Sequence, residues 1–105
     1  MTDASEALSG KYGNVLGPFV SMMERELHAN SGKKGDRLGW LAMSRADLLL
    51  EIYYHLAKLQ KAALKDDASG IAEFGADVAN MAMMLVDKCG ALPATASLTP
   101  TGETE

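Results

Sequence analysis

Only one cysteine, Cys89, occurs in the chain, so no intrachain disulfide can staple it, and a buried or half-buried thiol in a reducing compartment, the cytoplasm by default, is expected. No apolar run approaches the roughly 20 residues needed to span a bilayer. The segment from Met1 to Gly13 also lacks the basic-then-apolar order of a signal peptide. A soluble protein that stays where it is made is therefore expected. Positive charge is scarce as well: 10 Lys and Arg against 14 Asp and Glu give a net charge of -4 and a pI near 5.1. Such a surface attracts neither a phosphate backbone nor an anionic membrane, which argues against a general nucleic-acid or membrane binder and leaves only local basic loops.

Large apolar side chains are sparse at both ends. Residues 1–13 form a weakly ordered lead-in interrupted by glycines, and 92–105 are a tail rich in Pro, Thr, Ser and Gly that cannot offset its ordering entropy. The domain is expected to occupy 14–91. A chain this short buries roughly 60–65% of its unfolded surface, so self-association would add to a small core. No internal repeat is present.

What the chain does contain is helical periodicity. Leu16, Val20, Met23 and Leu27 recur at helical spacing to about Ala29, with Pro18 suited to a first turn. Asn30 to Gly39 reads as a loop carrying Lys33, Lys34 and Arg37. Ser44 and Asp47 make a capping-box-like start to a second helix running to about Lys65, with Leu49, Ile52, Leu56, Leu59 and Ala63 as its seam. Asp67 or Ser69 caps a third helix, whose seam is Ile71, Phe74, Val78, Met81 and Leu85 and whose C′ residue is Gly90. So short a connection makes these two helices antiparallel neighbours. The expected fold is all-α: an antiparallel hairpin plus an N-terminal helix, with self-association into an oligomer.

One residue back from each seam lies a second stripe: Glu51, His55 and Lys58 on one helix, and Glu73, Asp77, Asn80 and Met84 on the other. In an antiparallel pair the two stripes converge on one side, where Glu51/His55 and Glu73/Asp77 each offer ligands one turn apart. Hard divalent cations such as magnesium favour carboxylate oxygen of this kind. The plainer reading is a solvated acidic face.

The run Ala76-Asp77-Val78-Ala79-Asn80-Met81-Ala82-Met83-Met84, with Glu73 before it and Gly39-Trp40 upstream, resembles the MazG-type all-α nucleotide pyrophosphohydrolase superfamily, especially its short phage-associated members. The likeness spans about 16–90. It implies hairpins paired into four-helix bundles, and hydrolysis of nucleoside triphosphates to monophosphate and pyrophosphate by magnesium held on an ExxE and an ExxD. Asp77 matches the final acid. Phe74 stands where the preceding acid belongs, with Glu73 adjacent. His55 and Lys58 occupy the ExxE positions, and Glu51 lies a turn earlier.

An ammonium repels magnesium and has no lone pair to give, so Lys58 departs from the pattern. Two expectations follow from the resemblance. In one, catalysis is lost and the bundle binds nucleotide, phosphate or a protein partner, such as a host protein if the chain is phage-encoded. In the other, Glu51, His55, Glu73 and Asp77 form an altered metal site, with Glu73 and Asp77 catalytic. Lys33, Lys34, Arg37, Lys58 and Asn80 are the candidate nucleotide or phosphate contacts. Trp40, Tyr53, Tyr54, Met81 and Met84 are candidate interface residues, since the methionines occupy more helical faces than one hairpin buries.

Overall fold

The structure is a computed structural model that describes residues 10–32 and 36–93. It is helical throughout, with α1 at Gly13–Ala29, α2 at Arg37–Ala42, α3 at Arg45–Leu64 and α4 at Ala68–Lys88. None of these helices is long and apolar enough to cross a membrane.

The hairpin of α3 and α4 forms as its sequence signals require. The Ser44 hydroxyl accepts the Asp47 N–H at 3.0 Å and opens α3, satisfying a backbone donor that the helix itself cannot. At the reversal, Asp66 takes φ of 55° and the Asp67 carboxylate accepts the Gly70 N–H at 3.1 Å, starting α4. Gly70 is buried at the closest approach of the helices. A Cβ there would lie 3.1 Å from the Ala62 Cβ and 2.5 Å from the capping carboxylate, so a side chain would press on Ala62 and displace the Asp67 cap. Beyond Cys89, Gly90 with φ of 72° ends α4 as the expected C′ glycine.

Two expectations about the helices are corrected. α1 begins at Gly13, with the Tyr12 carbonyl accepting the N–H groups of Val15 and Leu16, so Pro18 lies inside the helix and not in its first turn. Residues 10–13 thus belong to the folded part. Part of the expected loop is also helical, because α2 spans Arg37–Ala42.

The seams are rotated as well. On α3 the buried positions are Leu48 and Ala62, while Leu49, Leu56 and Ala63 are exposed. On α4 the buried positions are Gly70, Ala76, Asp77, Asn80, Met81, Met84 and Asp87, and Ile71 is exposed. Asp77, Asn80 and Met84 of the α4 stripe therefore lie on the packed face while Glu73 is exposed, and part of the expected apolar seam of α3 faces outward. Apolar spacing cannot reveal this, since α3 carries leucines on several sides and burial is decided by which face the neighbour meets.

Every other helix packs on α4. The core comprises Trp40, Leu48, Met81 and Met84, with Leu27, Leu41, Ile52 and Leu85 against it. α2 is fastened by charge: Arg37 donates from Nε and Nη2 to the two Asp87 oxygens at 2.8 Å each, and Trp40 Nε1 donates to Asp87 at 2.9 Å. Lys88 Nζ adds a 2.7 Å bond to the Leu41 carbonyl. These donors hold the Asp87 carboxyl below its ordinary range, the bond from Arg37 contributing most.

A carboxyl with a depressed folded-state pKa stabilises the fold fully above its unfolded pKa, and loses that effect as pH falls through the folded value. Asp87→Asn is thus expected to lower Tm at pH 7, with the gap to wild type closing as pH falls below the usual carboxylate range. A constant gap would refute the ion pair's role. Trp40→Ala removes a core aromatic and is expected to cost about 3–5 kcal/mol in denaturant unfolding.

Candidate functional site

Between α1, α3 and α4 lies a cleft of 340 Å³. α3 lends Glu51, Tyr54, His55 and Lys58 to its wall, and α4 lends Glu73, Phe74, Asp77 and Asn80. The antiparallel register that sets Ala62 beside Gly70 also brings His55 opposite Asp77, with Nε2 3.8 Å from Oδ2. The two polar stripes thus converge as the spacing predicts.

The sequence reading missed Glu26. Its signal lies in α1, where Phe19, Val20, Met22, Met23, Glu26 and Leu27 form the inward stripe, and Glu26 is the charged member of that set. Oxygens of Glu26, Glu73 and Asp77 lie within 4.8 Å of one another, one from α1 and two from α4. Desolvation raises the Glu26 carboxyl above its ordinary range, and the charges of Asp77 and Glu73 add to the rise. Desolvation also raises Asp77, with Glu73 acting in the same sense and His55 and Lys58 opposing it. Glu73 is exposed, whereas Glu26 and Asp77 are partly or largely buried, and carboxylates this close gain from a shared proton or a cation. Their all-oxygen character suits a hard divalent ion such as magnesium, which takes a few carboxylates and completes its shell with water or phosphate.

His55 is oriented from behind. Its Nδ1 lies 2.9 Å from the Glu51 carbonyl oxygen and 3.8 Å from a Glu51 carboxylate oxygen. An N–H on Nδ1 can donate to that carbonyl, and Nε2 lies on the side toward Asp77. Glu51 meets the imidazole at Nδ1, while Asp77 meets it at Nε2. Tyr54 meets the His55 ring edge-on, at 5.3 Å between centroids.

Lys58 Nζ sits 4.4 Å from the Tyr54 ring centroid and 5.5 Å from that of Phe74, at the edge of the cleft. Among the described residues, no ion pair joins it to Glu73 or Asp77. Asn80 is buried and donates from Nδ2 to the Met23 carbonyl at 2.9 Å, fastening α1 to α4. Its Oδ1 is buried without a protein partner among the described residues.

Other candidates take different places. Lys33 and Lys34 lie outside the described residues. Arg37 does not line the cleft, since its guanidinium is engaged by Asp87. Trp40, Met81 and Met84 are buried in the chain's own core, so the methionine faces of α4 are filled by α1, α2 and α3 rather than left for another subunit. Tyr53 and Tyr54 are exposed on α3. No family model, curated protein or solved structure matches this chain. The fold and the cleft therefore define a class and no more: an all-α protein with an acidic interhelical cleft.

Replacing one crowded acid relieves repulsion. Above the carboxylate range, Glu26→Gln is expected to raise Tm. The sign follows from linkage: a carboxyl whose folded pKa is raised costs stability as pH rises past its unfolded value, so the gain should be present at pH 8 and small near pH 4. A fall in Tm at pH 8 would show that Glu26 is held by favourable contacts.

Proposed function

We propose that the cleft binds a divalent cation on Glu26, Glu73 and Asp77 and, through it, the phosphates of a nucleoside triphosphate, which is hydrolysed to monophosphate and pyrophosphate as the MazG-type resemblance implies. The observation that carries this reading is the convergence of three carboxylates within 4.8 Å in a partly buried cleft. The ligand set differs from the expected one: Glu26 joins it, and Glu51 acts through His55. Bound there, the cation would polarise a phosphoryl oxygen and acidify a water. His55, whose Nε2 lies 3.8 Å from Asp77 Oδ2, would accept that water's proton in its neutral form. Water adds to phosphorus, the bond to the pyrophosphate oxygen breaks, and the pyrophosphate carries away the electron pair.

The second reading, a bundle that binds nucleotide without turnover, is favoured by Lys58. An ammonium stands in the cleft where the resemblance expects a ligand acid, and it suits phosphate better than metal. Self-association is part of the proposal in either case. Leu49, Leu50, Tyr53 and Leu56 are exposed on α3, an apolar surface that a second copy would cover. Cys89 is exposed and not buried as expected, so a reducing compartment, the cytoplasm by default, rests only on its being a single free thiol.

Incubation with nucleoside triphosphates and magnesium is expected to release pyrophosphate, and Asp77→Ala is expected to abolish the release. If wild type shows no turnover but is stabilised by nucleotide in thermal melts, and Lys58→Ala removes the stabilisation, the binding-only reading is correct. If neither occurs, the cleft is not a nucleotide site and the exposed face of α3 is the place to seek a protein partner. Sedimentation at micromolar concentration is expected to show a species heavier than the 11.2 kDa chain, and a monomer alone would refute self-association.

A further inference from the structure

We infer that Lys58, Lys61 and Lys65 form a cationic rail for the outer phosphates of a polyphosphate chain, so that the site distinguishes ligands by their number of phosphates. This deepens the phosphate-binding reading above and rests on it.

The three lysines recur at steps of three and four along α3, so they share one stripe. At 1.5 Å per residue the stripe extends about 10 Å, enough to follow several linked phosphates. Lys58 and Phe74 line the acidic cleft and also a second depression of 210 Å³, completed by Lys61, Ala62, Lys65 and Asp67. The two hollows therefore share a wall.

The helix register gives the rail a direction. His55 faces Asp77 at the acidic end, and Ala62 faces Gly70 near the reversal. Lys58, Lys61 and Lys65 thus lead away from the acids toward the α3–α4 turn. α1 lines the first hollow through Glu26, Leu27 and Asn30 but contributes nothing to the second. A phosphate fixed at the acids by a cation leaves the following phosphates an open path over the ammonium groups.

The charges along that path favour an anion. Among the described residues, no ion pair involves Lys58, Lys61 or Lys65. Asp67, the carboxylate in the second hollow, is engaged as the cap of α4 by the Gly70 N–H. The Tyr54 and Phe74 rings hold the Lys58 ammonium at the junction of the two hollows. In a chain of net charge -4, a stripe of three cations running from an acidic cluster is the arrangement that a metal-bound polyphosphate would match.

The test uses the full chain and inorganic probes, which remove any contribution from base or sugar. Phosphate, pyrophosphate and tripolyphosphate are titrated calorimetrically at fixed ionic strength with magnesium, against wild type and Lys61→Gln/Lys65→Gln. Both positions are exposed, and an unchanged Tm will show that the variant folds. Affinity is expected to rise with phosphate number in wild type. The variant is expected to lose about five- to tenfold for tripolyphosphate and nothing for phosphate, the scale of two exposed ion pairs.

Equal binding of tripolyphosphate by variant and wild type overturns the rail. Equal losses for phosphate and tripolyphosphate overturn it too, since they would indicate a diffuse charge effect. In either case binding that still requires magnesium and Asp77 leaves the metal site standing. Chain-length discrimination that persists without magnesium and in Asp77→Asn supports the rail and overturns the metal reading.

Discussion

The face of α4 that meets the rest of the molecule carries Asp77, Asn80 and Asp87, and buried polar groups must find partners or oppose folding. Their partners come from different helices. Asp87 takes its donors from α2 through Arg37 and Trp40. Asn80 reaches the backbone of α1 at Met23, and Asp77 faces His55 of α3. One set of polar contacts therefore fixes where each helix sits on α4, a directional task that interchangeable leucine contacts perform less well. α1 shows this most clearly: it has no fully buried residue of its own, yet it is tied at Met23 and presents Glu26 a turn further on.

The cleft follows from that arrangement. The antiparallel register of α3 and α4 is set by close approach at Gly70, and the same register brings His55 to Asp77. Fastening α1 through Asn80 then carries Glu26 to the two acids of α4. Burial raises the Glu26 and Asp77 carboxyls, and the like charges beside them add to the rise. A fold that holds like charges together in a partly dry cleft stores the electrostatic energy that a bound cation releases. The Asp87 carboxyl is the opposite case, held low by donors that match it, and it anchors structure. Two acids of one helix thus have opposite shifts, because burial dominates at Asp77 while donated hydrogen bonds dominate at Asp87.

Much of this was legible in the residues, and the legible parts are local. Ser44, Asp67 and Gly90 mark helix ends through bonds and backbone angles that depend only on nearby positions, and each does in the fold what its type suggests. The convergence of Glu51, His55, Glu73 and Asp77 was also readable, because helical spacing and a short reversal leave little freedom. Arg37, Met81 and Met84 were misplaced, since nothing in their spacing says that Asp87 would claim a guanidinium or that α4 would be wrapped on several sides. Glu26 was missed because its contact with Asp77 spans the interval between separate helices.

The sequence alone determined an all-α chain, the caps of its hairpin and the two facing polar stripes, because these arise from interactions over a few residues and from the fixed helical period. Only the tertiary structure decided which face of α3 and α4 is buried, that Asp87 receives Arg37 and Trp40, and that Glu26 completes the acidic cluster. Those outcomes depend on how α1 and α2 dock. Docking is a contest among several apolar faces of similar strength, settled by a few buried polar groups that must each be matched.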